Sequence, residues 1–262
     1  MNLDLSNKTA LVCGASQGLG FACAVELALL GANVIAASRS DDKLRAVVKQ
    51  LDTSKGQKHH FLVLDLAQPE ESKHAVLNFI SEEGNIHILI NNAGGPPSAP
   101  MIDTDATEME KAFRTHVISS HLLSQVLIPG MRSTGYGRII NILSTAVKQP
   151  INGLGISNSV RAAVANWAKT LANENADSGI TINNVLPGFI NTDRLNYLFS
   201  KQATDRGVSK ENIFANTIAA IPAKRVGEPA EFASVVAFLC SPAAAYVNGV
   251  NLPVDGGRTS SL

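Results

Sequence analysis

Cys13-Gly14-Ala15-Ser16-Gln17-Gly18-Leu19-Gly20 decides the fold: three glycines spaced GxxxGxG follow a short apolar run, Thr9 to Cys13, and open a helical pattern. Each glycine has a physical reason in that setting. Gly14 allows a tight turn, Gly18 lets the backbone approach a pyrophosphate, and Gly20 permits close helix packing, while the unpaired N–H groups at the helix start attract an anion. A turn that merely requires small residues is the plainer alternative. The position of the motif at the first strand-to-helix junction of a long alternation favours a dinucleotide turn built from Gly14, Ser16, Gln17, Gly18, Leu19 and Gly20.

Working outward, short runs rich in branched residues keep alternating with longer helical patterns, as βαβ units of a parallel sheet require. The strands expected are Thr9 to Cys13, Asn33 to Ser38, Phe61 to Asp65, Ile86 to Asn91, Arg138 to Leu143, Thr181 to Leu186 and Val250 to Val254. Each is a continuous run rather than an alternating one, which suits strands covered on both faces. Helical spacing links Ala22, Val25 and Leu29, then Met109, Phe113, His116 and Ser120, then Val160, Val164, Trp167 and Leu171. The expectation is a single-domain α/β Rossmann fold, a doubly wound seven-stranded parallel sheet with helices on both faces. Residues 1–262 read as one dinucleotide-binding domain. One long irregular stretch, about 188–229, follows a strand's carboxyl end, contains at least one helical piece and reads as a substrate lid. Its Phe189, Leu195, Tyr197, Leu198, Phe199 and Phe214 suit an apolar cover, or a simple core closure.

Composition narrows the function classes. The 262 residues are 45% hydrophobic and 17% charged, with 22 basic against 22 acidic side chains. That balance disfavours disorder and a nucleic-acid polycation. Three scattered cysteines, Cys13, Cys23 and Cys240, form neither a disulfide framework nor a metal site, and point to a reducing cytoplasmic compartment. The first residues lack a secretory pattern, and no apolar run is long enough for a membrane span.

Where an NAD-binding turn would carry an acidic residue after the second strand, this chain has Ser38-Arg39-Ser40. Arg39 can pair with the extra 2′-phosphate of NADP, or be an ordinary solvated arginine; Asp41 and Asp42 come one or two residues too late. Asp65, with Leu66 beside it, stands where the adenine would lie, and equally suits a strand cap.

The glycine turn, Asn91-Asn92-Ala93-Gly94 after the fourth strand and Pro187-Gly188 after the sixth together resemble the short-chain dehydrogenase/reductase family. Gly137-Arg138-Ile139-Ile140-Asn141-Ile142, Thr192 and Val254-Asp255-Gly256-Gly257 extend the likeness over nearly the whole chain, which looks most similar to the 3-oxoacyl-carrier-protein reductase branch. The resemblance implies a nicotinamide cofactor, which Arg39 makes NADP(H), with a small-molecule substrate and a homo-oligomer, tetramer or dimer, packed through the helices of His116 and Ser157 and the last strand. It implies cofactor contacts from Asn92, Ala93, Gly94, Arg161, Pro187, Gly188, Ile190 and Thr192.

The family's Asn, Ser, Tyr and Lys tetrad maps onto His116, Ser144, Ser157 and Arg161, so three of the four positions depart. A tyrosine of pKa near 10 needs about 4 kcal/mol to ionise half-way at pH 7, which one nearby cation in a dry site supplies. A serine hydroxyl as weakly acidic as water needs roughly 12 kcal/mol. Ser157 is therefore no resting acid-base, and Arg161 can bind and polarise but not shuttle a proton. His116 titrates near neutrality and is a candidate acid, or a hydrogen-bonded core histidine. Tyr197 is a weaker candidate, and Tyr136 and Tyr246 lie away from the catalytic strand ends. The expected activity is hydride transfer between NADP(H) and a small carbonyl or 3-oxoacyl thioester. Imine or quinone-type acceptors, which need no strong acid, and a nucleotide-binding sensor or assembly subunit without catalysis are the alternatives.

Overall fold

Residues 1–261 are described by the computed structural model. Its strands are β1 (Thr9–Cys13), β2 (Asn33–Ser38), β3 (His60–Val63), β4 (Ile88–Asn91), β5 (Gly137–Ile142), β6 (Ile180–Pro187) and β7 (Asn251–Val254). All pair in parallel, in the order β3-β2-β1-β4-β5-β6-β7. The doubly wound seven-stranded sheet expected from the alternation is thus present. The order reverses between β1 and β4, which leaves a crevice beyond the carboxyl ends of those strands.

Nine α-helices cover the sheet or extend from it: α1 (Gly18–Leu29), α2 (Asp41–Val48), α3 (Pro69–Glu83), α4 (Ala106–Phe113), α5 (Ser119–Thr134), α6 (Gly155–Asn175), α7 (Asp193–Arg206), α8 (Lys210–Ala219) and α9 (Pro229–Cys240), among the described residues. Alternate side chains of β1 serve opposite cores. Ala10 and Val12 pack with α1, α2 and α9, whereas Leu11 and Cys13 pack with α3, α5 and α6. This two-sided burial is why the strands read as largely apolar runs without alternation. No helix is long and apolar enough to cross a membrane, among the described residues.

One polar feature crosses the sheet. Asn91 donates to Asn141 at 2.9 Å, Asn141 to Asn184 at 2.8 Å, and Asn184 to Asn251 at 2.8 Å, each pair being in register on neighbouring strands. The chain of amides satisfies itself, so it fixes the register of β4 to β7 without leaving an orphaned polar group.

Three expectations change. The buried face of α1 is Cys23, Ala24, Leu27 and Ala28, while Leu29 is 48% exposed, so the stripe Ala22-Val25-Leu29 is displaced. The cause is a second apolar neighbour: α1 packs on α9 as well as on the sheet, and its sequence is apolar nearly all round. The stripe Met109-Phe113-His116-Ser120 is also broken. Arg114–Ile118 forms one wide π-helical turn between α4 and α5, which rotates the face so that Phe113 is exposed while His116 and Ser120 are buried. Finally, the stretch after Pro187 is mostly ordered helix, α7 and α8, with its own small core of Leu195, Phe199, Ala203 and Ile213. Its ends are pinned together, since Asn191 N–H donates to Gly227 O at 2.8 Å and Gly227 N–H to Phe189 O at 2.9 Å. Val164, by contrast, is buried against the chain's own core, as is Val160.

A Cβ on Gly20 would stand 2.2 Å from the Gly14 carbonyl oxygen, whereas one on Gly18 would meet nothing nearer than Thr192 Cγ2 at 3.8 Å. Gly20→Ala must displace backbone, and urea denaturation is expected to register a loss of about 3 kcal/mol or more. Gly18→Ala is limited to its left-handed backbone cost, roughly 1–2 kcal/mol. Equal stability of the two variants would contradict this packing.

Candidate active site

The crevice at the strand reversal is a cavity of about 1250 Å³. Its walls explain the glycine turn. Gly14 and Gly18 both take left-handed backbone, with φ of 63° and 59°. Asn92, just past β4, donates through Nδ2 to the carbonyls of Cys13 at 3.3 Å and Gly14 at 3.5 Å, locking the two strand ends together. A side chain on Gly14 would stand 2.6 Å from that same amide nitrogen, so Gly14 and Gly20 are held to glycine by packing. Gly18 is different, because the space above it is open. The first turn of α1 carries no acidic residue and no side chain caps it, so its amide N–H groups remain available to an anion.

Of the residues expected at a cofactor, Gly14, Ser16, Gln17, Gly18 and Leu19 line the cavity, as do Ser38, Arg39, Asp65 and Leu66. Asn92, Ala93 and Gly94 follow on its floor, and Arg161, Pro187, Gly188, Ile190 and Thr192 on the far side. Gly20 lies beneath the turn and serves packing alone. Asp65 has the expected capping contact, its Oδ1 accepting from Ala67 N–H at 3.0 Å, and it also lines the cavity. The Pro187-Gly188 turn is braced from behind. Gly188 N–H donates to Val254 O at 2.9 Å, and a Cβ there would stand 2.6 Å from Asp255.

At one end of the cavity Arg39 is exposed and joins no ion pair among the described residues. Asp41, a nearby carboxylate, is taken by Arg45 at 2.7 Å. Lys43 also lines this end and donates to Gln17 Oε1 at 3.2 Å. Lys43, in the first turn of α2, carries no sequence pattern that links it to Arg39, which precedes the helix.

At the other end Ser144, Ser157 and Arg161 line the cavity together. Ser144 caps the turn Thr145–Val147 and its Oγ accepts from Ala146 N–H at 3.1 Å. Arg161, only 7% exposed, donates from Nε to Ser157 Oγ at 3.1 Å and from one terminal nitrogen to the carbonyls of Ile142 and Leu143 at 3.1 and 2.7 Å. Both serine oxygens already accept a hydrogen bond from the protein, which leaves their O–H protons free to donate into the cavity. Burial and the nearby Arg194 guanidinium hold the Arg161 pKa down to about 10, which still keeps it charged at pH 7. The second terminal nitrogen of Arg161 faces Gly95 and Arg194. Arg194 follows Thr192 by two residues and went unnoticed in the sequence, where an arginine in an irregular stretch has no periodicity to mark it.

His116 is not among the groups facing this cavity. It is 6% exposed and lines a separate void of about 10 Å³ with Asn91, Ser120 and Asn141. Burial first, then the Arg161 charge, push its pKa down to about 4, against a smaller opposing pull from the Gly94 carbonyl. It is neutral at pH 7. Tyr197 is 59% exposed and outside the lining, Tyr246 is wholly exposed, and Tyr136 donates to the Cys240 carbonyl far from the site.

Known proteins bear on this geometry. A family model described as enoyl-(acyl carrier protein) reductase matches residues 14–259. The chain is 38% identical to the 3-oxoacyl-[acyl-carrier-protein] reductase of Vibrio cholerae over 257 residues, covering 97% of this chain and 98% of that protein. Its structure is similar to that of L-sorbose reductase from Gluconobacter frateurii complexed with NADPH and L-sorbose, with TM-score 0.93, 31% identity and complete coverage of both chains. It is also similar to a 7α-hydroxysteroid dehydrogenase complexed with NADH and a 7-oxo bile acid, with TM-score 0.88, 30% identity and 98% and 96% coverage.

The depressed His116 pKa has a stability consequence of definite sign. Above pH 6.5 the imidazole is neutral in both folded and unfolded chains. As pH falls from 6.5 to 4, the unfolded chain takes up a proton that the folded one does not, so about 3 kcal/mol of stability is lost across that window. His116→Gln is expected to shrink the difference between urea unfolding at pH 7 and at pH 4.5. An unchanged difference, or an imidazole NMR titration near 6.5, would contradict this burial.

Proposed function

The chain belongs to the short-chain dehydrogenase/reductase family, in its 3-oxoacyl-carrier-protein-reductase-like branch, and from that premise we propose an NADP(H)-dependent oxidoreductase acting on a small carbonyl compound. One observation carries the proposal: a single cavity runs from two cations, Arg39 and Lys43, past the open backbone at Gly18 to the hydroxyls of Ser144 and Ser157. Its donors suit a phosphorylated dinucleotide at every stage. Arg39 and Lys43 would hold the 2′-phosphate, the amides at the start of α1 the pyrophosphate, and Asp65 and Leu66 the adenine. Arg161 would contact the nicotinamide ribose, and the Asn92 to Gly94 backbone and Thr192 would line the rest.

A nicotinamide cofactor held by these residues would supply the hydride. Ser144 and Ser157 then donate their free O–H protons to the carbonyl oxygen, and the fixed charge of Arg161 stabilises the negative charge that grows there. The nascent alkoxide would take the Ser157 proton as Ser157 takes one from a solvent water, the hydroxide so formed passing to bulk solvent, so no free serine alkoxide forms. Residues 188–229, with a core of their own and ends pinned side by side, serve as the cover over this reaction. Assembly as a homo-oligomer belongs to the same proposal, supported by β7, an edge strand whose four residues all remain partly exposed.

Arg39→Ala is expected to weaken NADPH binding at least 10-fold, measured by cofactor fluorescence, while NADH binding changes little. NADPH oxidation with a panel of ketones, oxo acids, 3-oxoacyl thioesters, quinones and cyclic imines is expected to detect turnover with a rate nearly flat from pH 6 to 9. Tight NADPH binding with no turnover across the panel would instead make the chain a nucleotide sensor.

A further inference from the structure

Arg161 and Arg194 bring two guanidinium groups to one point. A Cβ placed on Gly95 would lie 3.9 Å from a terminal nitrogen of Arg161 and 3.6 Å from one of Arg194, and all three residues line the cavity beside Ser157. Among the described residues neither arginine forms an ion pair, although Arg161 is almost wholly buried. Burial, and after it the like charge of Arg194, depresses the Arg161 pKa.

A buried cation beside a second cation is costly unless an anion offsets both. The protein provides none at this point. Arg161 also has an unusual distribution of bonds. Nε is committed to Ser157 and one terminal nitrogen to two strand carbonyls, so the other terminal nitrogen is the free donor, and it faces Gly95 and Arg194. Gly95 keeps that approach clear, since it carries no side chain to fill the gap. Arg194 belongs to α7, in the segment that covers the site, and is itself exposed.

We propose that this pair of arginines is a carboxylate site, and that the substrate is a small oxo acid whose carboxylate bridges Arg161 and Arg194 while its ketone oxygen meets Ser144 and Ser157. The chain of contacts has the right order: Ser157 is bonded to Arg161, and Arg161 faces Arg194 beside Gly95, so carbonyl and carboxylate recognition are adjacent. The exposed Arg194 guanidinium can meet a carboxylate with two parallel hydrogen bonds while Arg161 adds one from its free terminal nitrogen, and together the two cations select an acid over a neutral ester. Arg194 lies on the covering helix, so the same contact would draw that helix toward the site. This inference rests on the reductase proposal for the reaction, but the recognition it claims is testable by binding alone.

The other anion that could lie between the arginines is the cofactor's pyrophosphate, and the test separates the two. The probes are 2-oxobutyrate and 4-oxopentanoate, each compared with its methyl ester, in NADPH oxidation assays. Oxamate, a redox-inert acid, is titrated calorimetrically into protein saturated with NADP⁺. The wild type is expected to prefer the acids by roughly 10- to 100-fold in kcat/KM and to bind oxamate. Arg194→Ala, a change at an exposed position, is expected to bring the acid-to-ester ratio close to one and to abolish oxamate binding. Arg194→Lys should restore part of both. If Arg194→Ala weakens NADPH binding and leaves the acid-to-ester ratio unaltered, the arginines serve the pyrophosphate and the proposal is overturned. It is equally overturned if the wild type binds oxamate no better than Arg194→Ala. Failure of NADPH to bind at all would defeat the reductase proposal, while oxamate binding to the cofactor-free protein would still report on the arginines.

Discussion

The site depends on how closely the ends of β1 and β4 approach the start of α1. Gly14, Gly20 and the Asn92 side chain occupy a space in which one added Cβ would overlap backbone at 2.2 Å. Asn92 bonds to the carbonyls of the turn and so fixes β4 against it. This contact is set by excluded volume, the least negotiable of the forces in a folded chain. It leaves the amides of α1 facing an open crevice at the point where strand order reverses, and the Pro187-Gly188 turn, braced by Asp255, closes the opposite wall.

On that frame the charges are arranged at two ends. Arg39 and Lys43 stand at the β2 side, where Asp41 is paired with Arg45 instead of with either of them. Arg161 stands at the β5 side, held by the carbonyls of Ile142 and Leu143 and by Ser157. The lining near Ser144 and Ser157 thus offers fixed donors and a permanent positive charge, which polarise an acceptor oxygen without titrating near neutrality. The buried Asn91-Asn141-Asn184-Asn251 chain sets the heights of the strand ends that carry these groups.

Much of this was legible in the residues. Every expected strand appears within two residues of its expected limits, because burial on both faces writes a continuous apolar run that needs no tertiary information. Nearly all the expected cofactor residues line one cavity, because they sit at strand ends whose spacing the alternation fixes. Helix faces were less readable. The apolar surround of α1 hid which side was deepest, and one extra residue in the turn at Arg114–Ile118 shifted the phase that had placed Phe113 beside His116. The void around His116, the asparagine chain and the Arg161-Arg194 convergence arise from residues distant in sequence, and no local pattern carries that information. Lys43 belongs with them, since it reaches the cavity from a helix that begins after Arg39.

A crystal structure of the protein grown with NADP⁺ tests the central claim most directly. The account predicts the 2′-phosphate against Arg39 and Lys43, the pyrophosphate over the amides at Gly18 and Leu19, and the nicotinamide beside Ser144, Ser157 and Arg161. A saturated crystal in which the nucleotide lies elsewhere, or in which the 2′-phosphate faces solvent away from both cations, would contradict it.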